Sequence, residues 1–129
     1  MRPAALMTIL ALGAMAAPAA LAQDRTPSQR QTLLELARTL GESHALRLAC
    51  RSTADQRWRN RMQRVVELEA ADEAFKARLN EAFNTGYVTA EAENPACDDR
   101  TERAVARAAD RGRNLSLSLA GGTGASANR

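Results

Sequence analysis

Apolar residues recur every three or four positions along most of this chain, and that spacing places them on one face of an α-helix. The first such segment begins with Thr26, Pro27 and Gln29, which supply a capping box and a proline at the first helical position. It predicts a helix to about Cys50, with Gly41 marking the close approach of another helix. Its predicted buried stripe consists of Leu33, Leu36, Ala37, Leu40, His44 and Leu48.

Two further helices are predicted between this segment and the second cysteine. Thr53 and Gln56 have the spacing of a capping box and predict a helix that begins near Ala54. A break at residues 70–72 separates it from a third helix, which ends at residues 84–86 because a glycine there can adopt the left-handed conformation. The predicted apolar faces consist of Trp58, Met62, Val65 and Val66 in the second helix and Phe75, Leu79, Ala82 and Phe83 in the third.

A short turn and a loop over residues 87–97 lead to the last predicted helix. That helix begins at Asp99 and ends at the glycine pair 121–122. Its seam of mostly small residues suits close packing against another helix. The seam consists of Thr101, Val105, Ala108, Gly112, Leu115 and Leu119.

The fold class predicted from these segments is all-α. No segment alternates apolar and polar residues with the period of a half-buried strand. The simplest arrangement is a small antiparallel bundle of three to four helices over residues 23–120. Residues 121–129 are small, polar and glycine-rich, so we expect a disordered tail there.

Residues 1–22 have the pattern of a secretory signal peptide. Arg2 precedes an uncharged apolar run, and the stretch closes on the small residues of the triplet 20–22. Pro18 and this small-residue end favour cleavage over membrane anchoring. We therefore expect a mature chain that begins at Gln23, resides in the periplasm and has no stable membrane span.

The charge balance argues against a nucleic-acid-binding protein. The chain has 18 basic and 15 acidic residues, and all but one of the basic residues are arginine. A nucleic-acid reader usually has a larger and more clustered basic excess. The most basic stretch, residues 57–64, is predicted to spread its arginines around a helix, while Trp58 and Met62 share one apolar face. The anionic surface of the cell envelope is the alternative target for these arginines.

Cys50 and Cys97 are expected to form one disulfide, because export delivers paired thiols to an oxidising compartment. They lie 47 positions apart, so the loop they close predicts a stabilisation of about 4 kcal/mol. The alternatives are a redox pair or half of a metal site. The chain has neither a Cys-x-x-Cys spacing nor a second histidine, so no metal or other cofactor is predicted.

His44, the only histidine, falls within the apolar stripe of the first helix. A histidine in that position is more often a hydrogen-bonded packing residue than a base or a metal ligand. Arg47 lies one turn further along, where it is expected to pair with a carboxylate or to bond the carbonyls at the end of the third helix.

A set of short motifs, spread from Leu33 to Leu119, carries a family resemblance. The motifs are Leu40-Gly41-Glu42-Ser43-His44, Leu46-Arg47 with Cys50, Trp58-Arg59, Met62, Glu69, Ala82-Phe83-Asn84-Thr85-Gly86-Tyr87 and Cys97. Together they resemble an uncharacterised family of small exported alphaproteobacterial proteins with a domain of unknown function. The resemblance implies a helical fold and a periplasmic location, and it brings no known activity, substrate or catalytic residue.

Two hypotheses for function follow. The first is a non-enzymatic interaction or structural module that acts on an envelope or periplasmic protein. The second is a small hydrolase or ligand-binding domain with a site around His44, Arg47 and the Asn84–Tyr87 turn, which requires these residues to converge on an open pocket. The candidate ligand or partner residues are His44, Arg47, Trp58, Asn84, Gly86 and Tyr87.

Overall fold

Four α-helices make up most of the part of the chain that the computed structural model describes, residues 24–51 and 53–126. The all-α prediction is confirmed, and the predicted signal peptide and the last three residues lie outside the described ranges. None of the helices within those ranges combines the length and apolarity needed to cross a bilayer. The helices are α1 (Pro27–Cys50), α2 (Arg57–Glu69), α3 (Glu73–Glu93) and α4 (Asp99–Ser126).

Helix α1 is the centre of the bundle, because it packs against each of the other three helices. Its most extensive contact is with α3, and the two run in the same direction. Arg30, near the start of α1, stacks on the ring of Phe75, near the start of α3. Further along both helices, the ring of His44 lies against the ring of Tyr87.

Helices α2 and α4 run in the opposite direction to α1, which confirms the antiparallel bundle. The end of α1 meets the start of α4 through the Cys50–Cys97 disulfide. At the other end, Arg25 donates to the backbone carbonyl of Leu119 in α4 and to the carboxylate of Glu69, the last residue of α2. Consecutive helices therefore alternate in direction, as in an up-and-down bundle.

The core changes in composition along the bundle. One half, which includes Leu33, Leu79 and Phe83, is filled by large side chains. The half nearer the disulfide is built largely from alanines, such as Ala45 and Ala108. Small side chains bury less apolar area and contribute less to stability. The predicted disulfide, which the structure confirms, therefore adds stability where the apolar core is weakest.

The starts of α1 and α3, which depend on local hydrogen bonds, follow the prediction. Thr26 Oγ1 accepts a hydrogen bond from the backbone N–H of Gln29 at 3.1 Å, and Gln29 Oε1 accepts one from the N–H of Thr26 at 2.9 Å. The predicted break after α2 is also present. There Asp72 caps α3 by accepting from the N–H of Phe75 at 2.7 Å.

The start predicted for the second helix was wrong. Helix α2 begins at Arg57 instead of near Ala54, and its N-cap residue Gln56 makes no side-chain capping bond. The capping oxygen comes from Asp55, which accepts from the N–H of Arg57 at 3.0 Å. The Asp55 carboxylate therefore caps α2 in place of the capping box that was predicted to begin at Thr53.

Two glycine-containing helix stops were also predicted wrongly. Helix α3 continues through residues 84–86 to Glu93, and α4 continues through residues 121–122 to Ser126. The tail predicted to be disordered therefore begins inside α4. No glycine in the described part of the chain has a positive φ angle, so none ends a helix in the left-handed conformation. A glycine within a helix costs only about 1 kcal/mol relative to alanine, which neighbouring contacts can offset.

Candidate functional site

Close packing of α1 on α3 determines the surroundings of the candidate residues. A Cβ added at Gly41 would collide with the backbone carbonyl of Phe83, and one added at Gly86 would collide with the carbonyl of Arg38. The two backbones are therefore in direct contact, as predicted at Gly41. This explains why α3 has glycine at position 86, where sequence reasoning had placed a helix stop.

His44 is buried in this interface and is only 1% exposed. Its ring centroid lies 6.0 Å from that of Phe83 and 5.5 Å from that of Tyr87. Its packing role is confirmed, but the expected hydrogen bonding is not, because its Nδ1 atom has no hydrogen-bond partner. Among the described residues, no hydrogen bond joins His44 to a serine, threonine or cysteine that could act as a nucleophile.

The surroundings of His44 favour the neutral form of its imidazole. Burial lowers the pKa of His44 below its ordinary value of 6.5, because a charged imidazolium loses its hydration in the interface. The positive charge of Arg59 lowers this pKa further, while the negative charge of Asp55 opposes the shift. A neutral, enclosed imidazole is suited to packing and has no access to an external substrate.

Arg47 pairs with a carboxylate, which was one of its two predicted roles. Its Nε atom lies 3.4 Å from Asp55 Oδ2, and both side chains are partly buried. The contact is an ion pair without hydrogen-bond geometry, since Nε has no hydrogen-bond partner. Arg47 therefore links the end of α1 to the loop before α2, and the alternative bond to the end of α3 does not form because α3 ends much later.

The six candidate residues do not converge on one open pocket. His44 is enclosed against Tyr87 and Arg47 faces Asp55, whereas Asn84 is exposed on α3. Trp58 lies elsewhere, in a cleft whose floor is α1 and whose walls are α2 and α4. The geometry required by the enzymatic hypothesis is therefore not found around His44.

Three arginines of α2 lie in a stripe on one face of the helix. The prediction that the arginines of this segment spread around the helix is therefore wrong for these three. Arg57, Arg61 and Arg64 are exposed and follow the i, i+4, i+7 spacing of a single helix face. Arg61 also stacks on Trp58, with its guanidinium carbon 5.2 Å from the ring centroid. This spacing was readable from the sequence and identifies the stripe without the structure. We call these three residues the α2 arginine stripe.

One cluster of potential metal ligands occurs within the described ranges, and it consists of Cys50, Cys97 and Glu102. Metal binding by cysteine requires a thiolate, and both sulfur atoms are used in the disulfide. The carboxylate of Glu102 instead lies 3.8 Å from the guanidinium of Arg51. The cluster therefore contributes to the junction of α1 and α4.

Sequence reasoning missed the ion pair of Arg25 with Glu69. Arg25 donates two hydrogen bonds to the Glu69 carboxylate, at 2.9 and 2.7 Å, and its side chain is only 8% exposed. The hydrogen bond to Glu69 raises the pKa of Arg25. No local signal reveals this pair, because its members lie 44 positions apart and meet only once α2 folds back along α1.

Comparison with known families gives one match. The model of the family described as "Protein of unknown function (DUF2385)" matches residues 28–121, and the chain belongs to this family. The match covers α1, α2, α3 and most of α4, so the resemblance to an uncharacterised family is confirmed. The alphaproteobacterial origin and the proposed motif pattern stay predictions. Neither the curated proteins nor the solved structures contain a match to this chain.

Proposed function

We propose that this member of the family is exported to the periplasm, loses residues 1–22 there and serves as a non-enzymatic interaction module. The observation that carries the non-enzymatic part is the burial of His44, which is 1% exposed between Phe83 and Tyr87. It is the only histidine in the chain. Without it, the chain lacks the side chain that most often acts as a general base near neutral pH.

The disulfide supports the proposed location. The Cys50–Cys97 bond joins two helices in a part of the core that consists mostly of alanine. Such structural bonds persist in oxidising compartments and are rare in the reducing cytosol. Arg25 adds to this argument, because it lies after the proposed cleavage point and the mature chain therefore keeps its ion pair with Glu69.

The partner surface in this proposal is the outer face of α2. It consists of the α2 arginine stripe together with Leu68, which is 59% exposed and lies on the same face. Apart from the stacking of Arg61 on Trp58, no ion pair occupies these arginines among the described contacts. A positive face with one apolar residue suits an envelope or periplasmic protein with an acidic surface, since opposite charges speed association.

Export is tested by mass spectrometry of the periplasmic fraction. The expected result is a chain that begins at Gln23 and has no free thiol until it is unfolded and reduced. Recovery of the intact chain from Met1 in the membrane, or of two titratable thiols in the native protein, would contradict export or the oxidising location respectively. A variant with Ala20 and Ala22 both replaced by Leu removes the small residues that cleavage requires and serves as the control.

The partner surface is tested by photo-crosslinking in cells. A photoreactive residue at Arg64, in the α2 arginine stripe, is expected to capture one specific protein. The same residue at Ala77, which is exposed on α3, is the matched control and is expected to capture none. The double substitution Arg57→Glu and Leu68→Ser should abolish the product in a chain that carries the photoreactive residue at position 64. Equal capture from both positions would reject this surface.

The enzymatic alternative is tested with His44→Gln in a deletion strain. If His44 only packs, rescue of the deletion phenotype should follow the stability of the variant. A His44→Gln protein that melts like the wild type and fails to rescue the strain would overturn the non-enzymatic proposal.

A further inference from the structure

A cleft lies between α2 and α4, whose Cα atoms come within 8 Å of one another nowhere in the described part of the chain. Helix α1 forms its floor, and the volume of the cleft is about 280 Å³. Leu36 and Leu40 provide apolar surface on the floor, and Ala108 and Gly112 leave space along the α4 wall. The cleft therefore has an apolar interior that is bounded by two separate helices.

The charges that line this cleft are all positive. Arg61 projects from the α2 wall and Arg113 from the α4 wall, and the lining includes no carboxylate. Arg113 has a partner in Asp110, but both side chains of that pair are largely exposed, so the pairing is weak. Four other clefts in the described part of the chain each contain at least one glutamate. The α2–α4 cleft differs from these in combining cations with an apolar interior.

The polar groups that line the cleft differ in whether they already have a hydrogen-bond partner. Trp58 lines it, and the buried Nε1 atom of its indole has no hydrogen-bond partner. The hydroxyls of Thr39 and Ser116 donate to carbonyls of their own helices, at 2.9 and 2.8 Å. The guanidinium of Arg61, which has no carboxylate partner among the described contacts, therefore offers free donors to the cleft. Donors without acceptors favour a ligand that accepts hydrogen bonds.

We propose that this cleft binds a small organic anion with an apolar body, of the class of medium-chain carboxylates. The carboxylate pairs with Arg61 and Arg113, and the apolar chain packs on Leu36 and Leu40. The cleft has nearly twice the volume of about 150 Å³ that holds one benzene ring in an apolar protein cavity. On that scale the cleft takes about eleven non-hydrogen atoms, which accommodates the roughly ten of a carboxylate with eight carbon atoms. The cleft shares Arg61 with the partner surface of α2, and its remaining lining residues lie outside that surface.

The single tryptophan makes binding directly measurable. Trp58 is the only tryptophan in the chain, so a fluorescence titration of the purified mature protein reports on this cleft alone. Octanoate is the probe, and 1-octanol and octylamine have the same chain with a neutral or a positive head. The expected result is a saturable change with octanoate, at least tenfold weaker binding of 1-octanol and no binding of octylamine. Equal affinity for octanoate and 1-octanol, or no saturable change with octanoate, would overturn the proposal.

Substitutions then locate the ligand. Arg61→Gln and Arg113→Gln should each weaken octanoate binding about tenfold, since each removes a charged hydrogen-bond donor. Arg107→Gln is the matched control, because it removes an exposed charge of α4 that does not line the cleft, and its affinity should stay within a factor of two. Because Arg61 stacks on Trp58, Arg61→Gln also changes the fluorescence of the free protein. Calorimetry therefore measures octanoate binding by this variant independently. Equal losses in all three variants would indicate general charge attraction and reject the site.

A filling substitution tests the cleft by volume. Gly112→Val places two methyl groups in the space along α4 and should abolish octanoate binding, while circular dichroism shows the same helix content as the wild type. Gly121→Val, at a position where an added Cβ meets no other atom, is the control and should bind normally. Full binding by a folded Gly112→Val protein would place the ligand elsewhere and overturn the proposal.

Discussion

Helix α1 has two contrasting sides. On the side of α3, Gly41 and Gly86 bring the backbones so close that a Cβ at either position would collide with a carbonyl group. On the side of α2 and α4, a Cβ at Gly112 would meet only the Thr39 methyl group, at an ordinary distance of 3.6 Å. Glycine therefore allows backbone contact on the α3 side, which leaves no room for a ligand. On the side of α2 and α4, glycine instead leaves open space beside α1.

The residues whose side chains are suited to catalysis or ligand binding are divided between these two sides of α1. His44 is enclosed on the closely packed side, where burial lowers its pKa and keeps it neutral. Trp58 and Arg61 lie on the open side, where side-chain groups remain available to an incoming molecule. The side chains that a ligand can reach therefore lie beside α2 and α4, whereas the single histidine is enclosed.

The largest expected effect comes from opening the link between α1 and α4. Replacing Cys50 and Cys97 together by serine should lower the free energy of unfolding by about 4 kcal/mol, because the unfolded chain loses a 47-residue constraint. Urea denaturation of the mature protein measures the loss. As a control, a reductant should weaken the wild type and leave the variant unchanged. A loss below about 1 kcal/mol would mean that the alanine half of the core is sufficient by itself.

The next largest effect tests the closely packed side. Gly41→Ala should destabilise the protein by about 1–3 kcal/mol or more, because α1 must move away from α3 to admit a methyl group. Gly86→Ala should act similarly from the other helix, and chemical denaturation measures both. Additive losses in the double variant would argue against a shared contact, since one displacement of the helices relieves both collisions.

Two kinds of feature were predicted correctly from the sequence. Some depend only on residues that are close together in the chain, and others have few possible arrangements. The capping box at Thr26 is local, and two cysteines allow a single intramolecular pairing. The helical class followed from the spacing of apolar residues. These signals do not require knowledge of which helices meet.

The start of α2 was predicted wrongly because Asp55, and not Thr53, supplies the local capping oxygen. Other features depend on contacts between distant segments. Gly86 has two physical uses, as a helix stop and as a site of close approach, and only the position of Arg38 on α1 decides between them. The cleft beside Trp58 exists because the backbones of α2 and α4 stay apart in the described part of the chain, which no spacing within either helix reveals. His44 was interpreted correctly as a packing residue, but its missing hydrogen bond depends on its neighbours in α3.

A smaller effect concerns the dependence of stability on pH. The pKa of His44 is lowered by burial, so the unfolded chain binds its proton more readily than the folded protein does. This contribution to stability is complete above the ordinary value of 6.5 and is lost as the pH falls below it toward the folded pKa. The pKa values of Asp55 and Asp98 are lowered from 3.8, chiefly by backbone hydrogen bonds, so their contributions are lost only in more acidic solution.

Urea denaturation at pH 7.5 and 5.5 isolates this contribution. The wild type should lose stability between these two values, and His44→Gln should lose clearly less. The same decline in both proteins would show that another group causes it and would remove the argument that His44 is held neutral in the interface.

The smallest expected effect has the opposite sign and sharpens the comparison of the two sides. Gly112→Ala should stabilise the protein by up to about 1 kcal/mol, because alanine favours the helix and its methyl group has room beside Thr39. Thermal or chemical denaturation in parallel with Gly41→Ala makes the two variants mutual controls for the same chemical change. If Gly112→Ala destabilises the protein as much as Gly41→Ala, then α4 approaches α1 as closely as α3 does, and the contrast that distinguishes a packed side from an open one fails.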